Sequence, residues 1–252
     1  MGLDSSSAPA IQLDRVSKAF GSDGALVLED VSLTIAPGEF VCLLGASGCG
    51  KSTLLSLIAG LERPSSGTVT VASGRAAMMF QESALFPWLS ARRNVELALG
   101  LRGVPRNRRR EQALALLDVV NLTDAAEKRP HELSGGMRQR VALARSLAQD
   151  RPVLLMDEPF AALDAITRDL LHEELENVWR DTGRTIVFVT HNVREAARLG
   201  QRVLLMSSRP GRIARDWAVD SSTQRRIESP EVARLSIEIT EELRKEIRRN
   251  AA

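Results

Sequence analysis

Phe40-Val41-Cys42-Leu43-Leu44-Gly45-Ala46-Ser47-Gly48-Cys49-Gly50-Lys51-Ser52-Thr53 is the stretch on which the reading of this chain turns. Five consecutive apolar residues suit a strand buried on both faces. The next eight fit G-x-x-x-x-G-K-S, and residues 52–60 read as a helix. Strand, glycine-rich loop and helix, in that order, are the setting a phosphate-binding loop requires. Glycines let the backbone curl so that successive N–H groups face one phosphate, and the helix N-terminus adds its positive dipole end. The candidate phosphate contacts are therefore Gly45, Ala46, Ser47, Gly48, Cys49, Gly50, Lys51, Ser52 and Thr53. Lys51 is placed to bridge the β- and γ-phosphates, and the Ser52 hydroxyl to ligate Mg²⁺.

Moving outward, residues 11–20 and 31–35 alternate apolar and polar side chains, the period of a half-buried strand. Pro37-Gly38 makes a turn before the buried strand. Further strands are expected at 67–71, 76–80, 153–156, 185–189 and 203–206. From 91 to 150 the pattern is helical, most clearly over 112–120 and 137–148. Alternating strands and helices predict an α/β fold with a mostly parallel sheet, into which the 91–150 block is inserted.

Residues 153–158, Val-Leu-Leu-Met-Asp-Glu, complement the loop. A buried strand delivers two carboxylates at its C-terminal end, where ligands bind in α/β sheets. Asp157 is read as the Mg²⁺ carboxylate, through water, and Glu158 as the general base for an attacking water.

Composition sets wider bounds. At 252 residues, 44% hydrophobic and 26% charged, the chain can bury one large core. With 34 basic against 32 acidic residues the net charge is +2, which gives no support for a nucleic-acid partner. The basic run at residues 106–110 opens a helix and reads as a solvated face. No apolar run reaches the roughly 20 residues of a membrane helix. The first ten residues lack the basic flank and apolar segment of a signal peptide and read as a polar tail, with Gly2 and Ser6 fitting a myristoylation pattern only formally. Cys42 and Cys49 are too few for a disulfide framework, so a reducing compartment is the default. Cys49, inside the loop, is expected to react with thiol reagents and to be protected by ATP.

Leu133-Ser134-Gly135-Gly136-Met137-Arg138-Gln139 then narrows the family. Together with the phosphate loop and the 153–158 strand, it makes the chain resemble the ATP-binding cassette (ABC) ATPases over about residues 11–215. The resemblance implies an ABC-type nucleotide-binding domain of the P-loop NTPase class, with a RecA-like α/β core, N-terminal antiparallel β elements and a helical subdomain. The domain spans 11–220, with the helical subdomain at about 91–150 and a helical extension over 221–252. It implies that Gln81 senses Mg²⁺ and the γ-phosphate, that Asp164 belongs to the D-loop, and that His191 is the switch histidine. From the residues alone, Gln81 reads equally as a loop amide and His191 as a structural histidine. Adenine stacking falls to Phe20, since the chain has no tyrosine; a strand-end core phenylalanine is the other reading.

Ser134, Gly135 and Gly136 stand before a helix and read both as an N-cap and as an anion site. In the family this segment completes the ATP site of a second cassette, which implies a head-to-tail homodimer. The segment Ala84-Leu85-Phe86-Pro87-Trp88-Leu89 is expected to be shared between core packing and a permease contact. With 157–160 and 208–212, residues 86–89 resemble the bacterial nitrate/sulfonate/taurine importer subgroup. Ala161 and Asn192 depart from that subgroup's usual glycine and aspartate. The implied protein is an ATPase subunit on the cytoplasmic face of the inner membrane, working with two transmembrane permease subunits and, indirectly, a solute-binding protein. The alternative is a non-transport ABC protein closing on nucleic acid or the ribosome, a class that usually carries two cassettes or coiled-coil insertions. Beyond residue 221, Val232, Leu235, Ile239, Leu243 and Ile247 line one face of a helix expected to dock on the chain's own core.

Overall fold

The computed structural model describes residues 8–21, 24–72, 74–161, 163–219 and 229–251. The Gly2/Ser6 pattern and the 220/221 boundary fall outside the described residues. The phosphate-loop strand β3 (Phe40–Gly45) sits inside a six-stranded sheet with β5 (Ala77–Met79), β6 (Val153–Asp157), β7 (Thr185–Val189), β8 (Arg202–Met206) and β9 (Ile213–Ala218). The order is β5-β6-β7-β3-β8-β9, parallel except for the β8–β9 hairpin. A second, antiparallel sheet places β1 (Ile11–Phe20) between β2 (Ala25–Ile35) and β4 (Ser66–Val71). The β2 strand begins six residues before the expected one.

Both faces of the parallel sheet are covered, and the side-chain period of two sorts the core into two layers. Phe40, Cys42, Leu44, Leu154, Met156, Ile186 and Phe188 face one cluster. The intervening Val41, Leu43, Val153, Leu155, Val187 and Val189 face the other, with the antiparallel sheet and α1 (Lys51–Ile58). The first cluster also holds the apolar faces of α2 (Ala91–Leu101), α3 (Arg106–Val119) and α4 (Gly135–Leu147). The expected helical block thus shares a core with the sheet. Two more helices cover the same face, α5 (Ala165–Thr182) and α6 (Val193–Leu199).

On α3, Arg106, Arg108 and Arg110 are exposed as expected. Arg109 instead turns back to donate to the Val104 carbonyl at 2.7 Å, fixing the turn from α2. The last helix, α7 (Pro230–Ala251), buries Val232 and Ile239 and packs Leu235 and Leu243 on the core, while Ile247 is exposed. Trp217 Nε1 of β9 donates to Glu238 at 2.7 Å and ties the helix to the sheet edge. No described helix is long and apolar enough to cross a membrane.

Candidate functional site

Strand order decides which residues meet. Met79 pairs with Met156, Asp157 with Val189, and Leu43 with Val189. The C-terminal ends of β5, β6, β7 and β3 therefore lie side by side, carrying Gln81, Asp157-Glu158, Thr190-His191 and the glycine loop. A cavity of about 430 Å³ opens there, lined by Ser47, Gly48, Gly50, Lys51, Ser52, Thr53, Gln81, Glu158, Val27 and Arg209.

The loop takes its shape from left-handed turns. Gly50, at φ +101°, is the N-cap of α1, and a Cβ there would stand 2.6 Å from Leu28 Cδ2. Lys51 is buried, and its ammonium donates to the Gly45 and Ala46 carbonyls at 2.9 and 3.0 Å. The ammonium is thereby held under the loop, where Lys51 joins the helix N-terminus as a fixed positive charge. The Ser52 hydroxyl hydrogen-bonds the Asp157 carboxylate. Burial pushes the Asp157 carboxyl above the usual aspartate range; the Ser52 bond lowers it, the Glu158 charge raises it further and Lys51 lowers it. Among the described residues no three His, Cys, Asp or Glu side chains form a metal cluster on their own. The oxygen donors Ser52, Asp157 and Gln81 suit Mg²⁺ shared with phosphate oxygens.

Glu158 departs from the strand at φ +44°, its N–H donating to the Val189 carbonyl at 3.0 Å. A left-handed glutamate is strained backbone at a site, and it aims the carboxylate into the cavity rather than along the sheet. His191 Nδ1 lies 3.1 Å from Glu158 Oε2, with the ring itself exposed. Below this pair Thr190 Oγ1 donates to the buried Glu195, which also accepts from His172 Nε2 at 2.6 Å. Asn192 caps α6, its Oδ1 accepting from Arg194 and Glu195 N–H groups as an aspartate would.

The signature segment lies outside the cavity lining. Ser134 is the N-cap of α4, its hydroxyl accepting from Met137 N at 3.2 Å, while Ser134 and Gly135 are exposed and Gly136 half-buried. Asp164 caps α5 in the same way, accepting from Thr167 N at 2.9 Å; that bond holds its carboxyl below the usual range. Phe20 is exposed at the end of β1, with the Lys18 ammonium 4.6 Å from its ring centroid. It is not a core residue, and it is not among the cavity lining.

Two side chains of α4 reach the Gln81 segment. Buried Gln139 donates to the Gln81 carbonyl at 2.8 Å, and Arg145 donates to Ser83 and Ala84 carbonyls at 2.8 and 2.7 Å. Beyond them, buried Asn94 accepts from Phe86 N at 2.9 Å and donates to three carbonyls, those of Phe86, Leu89 and Ser90. The Asn94 bonds present Phe86 and Trp88 as an exposed ring pair 5.5 Å apart, while Leu85 packs on the core.

Cys49 corrects one expectation. Its side chain is 1% exposed, turned into the core beneath the loop, and burial pushes its thiol up. A protonated, covered sulfur is a poor nucleophile, so low reactivity toward thiol reagents is expected of the folded chain instead. Arg209, Glu195, His172, Arg145 and Asn94 were not singled out from sequence as functional. A buried glutamate or histidine leaves no mark in a helical pattern, and Arg209 stood only in a subgroup motif.

Comparison with known proteins agrees with this geometry. The family model described as ABC transporter matches residues 28–161. The chain is 47% identical over 219 residues to the nitrate import ATP-binding protein NrtD of Synechocystis, covering 83% of this chain and 82% of that one. It is 49% identical over 205 residues to the taurine import ATP-binding protein TauB of Burkholderia pseudomallei, covering 78% and 79%. Among solved structures it is similar to a dimeric ATP-binding cassette in a post-hydrolysis state bound to ADP and Pi. That likeness has a TM-score of 0.75 and 33% identity, over 84% of this chain and 99% of that one.

Proposed function

The chain belongs to the ABC transporter family of ATPases, and from that premise we propose that it is the ATP-hydrolysing, energy-coupling subunit of a bacterial importer for small anions of the nitrate, sulfonate and taurine kind. The observation that carries the reading is the meeting of Lys51, Ser52, Gln81 and Glu158 in one cavity, with His191 bonded to Glu158. The names of the relatives support the solute class.

In this reading the loop N–H groups and Lys51 bind the β- and γ-phosphates, and Phe20 stacks on adenine. Ser52, Asp157 and Gln81 hold Mg²⁺, which when bound offsets phosphate charge. Glu158 accepts a proton from the attacking water as the γ-phosphorus bond to its bridging oxygen breaks, releasing ADP and phosphate. His191 fixes the Glu158 carboxylate and the leaving phosphate group. The exposed Ser134, Gly135 and Asp164, with the half-buried Gly136, meet the nucleotide of a second copy in a head-to-tail dimer. Closure on ATP and reopening after hydrolysis then move two permease subunits, which dock on the Phe86 and Trp88 surface at the cytoplasmic face of the inner membrane. The solute-binding protein acts on the far side of those permeases.

Glu158→Gln keeps the shape and removes the base, a loss of about 10² to 10⁴ in rate. The expected result is an ATP-stabilised dimer, seen by size-exclusion light scattering, with almost no phosphate release. A variant that hydrolyses ATP at the normal rate refutes the base assignment. Solute identity is tested by ATPase stimulation in the reconstituted transporter with nitrate, taurine or an alkanesulfonate.

A further inference from the structure

The phosphate-loop cavity contains a second cation. Arg209 lines it beside Lys51, Ser52, Gln81 and Glu158 although it stands on the β8–β9 connection. That connection is built to reach the loop. Ser207 N donates to the Arg212 carbonyl at 2.9 Å, Arg212 N to Ser207 Oγ at 2.9 Å, and Ser207 Oγ to the Pro210 carbonyl at 3.1 Å. Gly211 N then donates to the Val27 carbonyl at 2.8 Å, and Glu29 N to the Gly211 carbonyl at 3.1 Å, which stitches the turn to β2. A Cβ on Gly211 would stand 2.1 Å from the Cys49 carbonyl, so only glycine allows this approach to the phosphate loop.

The hairpin has four arginines, and three are neutralised. Arg202 pairs with Asp216 at 2.6 Å, Arg212 with Glu29 at 2.6 Å, and Arg215 with Glu242 at 3.3 Å. Arg209 forms no ion pair among the described residues; its Nε donates to the Gly48 carbonyl at 3.0 Å. Nη2 lies 3.2 Å from where a Cβ on Gly48 would be, so the guanidinium lies across the middle of the loop. One N–H is used on the loop backbone. The Nη groups, with four more donors, are left without a carboxylate at the wall of a site meant for a polyanion.

We propose that Arg209 is a nucleotide-binding residue, its guanidinium taking phosphate oxygens of the bound nucleotide as a second cation beside Lys51. A planar fork can hold two oxygens at once, which an ammonium cannot. Because the same side chain holds Gly48, phosphate contact also fixes the loop against the hairpin and β2. The assignment rests on the ATP-site reading above.

The test measures ATP and ADP dissociation constants by isothermal titration for the full-length wild type, Arg209→Ala, Arg209→Lys and Lys51→Ala, with melting of each nucleotide-free protein. Removing a charge-assisted bond is expected to weaken ATP binding by about 10- to 100-fold in Arg209→Ala. Arg209→Lys should recover only part of that loss, and nucleotide-free melting should stay within about 2 °C of wild type. KM for ATP should rise with kcat within about threefold. Wild-type ATP affinity in Arg209→Ala overturns the proposal, as does full recovery by Lys or a weakened affinity matched by a large fall in nucleotide-free melting. If Lys51→Ala loses ATP and Arg209→Ala does not, only the Arg209 assignment fails. If Lys51→Ala binds ATP normally, the site reading itself fails.

Discussion

Replacing Glu195 by alanine should both soften the fold and disturb the loop that carries His191, for one structural reason. Glu195, His172, Thr190 and Arg198 are all at least nine-tenths buried. The carboxylate accepts from Thr190 Oγ1 and from His172 Nε2, the latter at 2.6 Å. A carboxylate oxygen accepts, so His172 Nε2 is the donor of this pair. Nδ1 then faces the Arg198 guanidinium at 3.5 Å, which itself reaches Asp169 at 3.5 Å. Removing the carboxylate leaves the His172 ring N–H buried without its acceptor, and an unsatisfied buried donor costs about 1–3 kcal/mol. Here Arg198 keeps Asp169, and Thr190 Oγ1 still accepts from Asn192 N at 3.0 Å. The upper part of that range, about 2–3 kcal/mol, is expected because two bonds go together, or a melting temperature lower by about 4–12 °C in a chain of this size. Glu195→Gln keeps an acceptor for Thr190 and should lose only about 1–2 kcal/mol. Thr190 precedes His191, so in both variants kcat should fall even where the protein is fully folded. Thermal melts by circular dichroism, with phosphate release measured well below each melting point, check both halves. An alanine variant melting within about 2 °C of wild type refutes the energetic reasoning; the expected destabilisation with unchanged kcat refutes the link to His191.

Two further outcomes follow from groups whose protonation is shifted. Asp157 has its folded pKa raised, so its carboxyl contributes stability at pH below the unfolded value, and that contribution is lost as pH rises through the folded value. At neutral pH the charge is thus a liability in the absence of ligand: nucleotide-free Asp157→Asn should melt slightly higher than wild type, yet gain no extra stability from Mg²⁺ with ATP, as scanning fluorimetry would show. A lower nucleotide-free melting point contradicts that account. Cys49 should resist alkylation in the native protein, since even a local opening costing about 3 kcal/mol slows labelling about 100-fold. Both cysteines should label together in denaturant, and rapid native labelling at Cys49 by mass spectrometry would contradict its buried orientation.

Much of the site was legible because its parts are local. A glycine loop needs particular residues at fixed spacing to curl, so residues 45–52 declare a phosphate site wherever they fold. Residues 153–158 declare a strand ending in two carboxylates, and the 133–139 segment declares the family. The strands were legible too, since two-sided burial writes continuous apolar runs. What remained unreadable was non-local or carried by backbone. The outward turn of Glu158 comes from its left-handed φ, and the inward turn of Cys49 from packing under the loop. Gln139 meets the Gln81 carbonyl across 58 positions of sequence, and that carbonyl has no identity in the sequence at all.

The sequence by itself determined the chemistry: a phosphate loop, a paired Asp-Glu strand end, and a signature helix capped by serine. Those are properties of residue type at short spacing, where covalent connection does the positioning. Tertiary structure decided which strand ends are neighbours, and so put Gln81, Asp157, Glu158 and His191 around one glycine loop. It also decided that Arg209 reaches that loop while the hairpin's other arginines are paired elsewhere. Strand order and turn placement depend on burying two apolar layers at once, an energy summed over the whole chain that no single segment encodes.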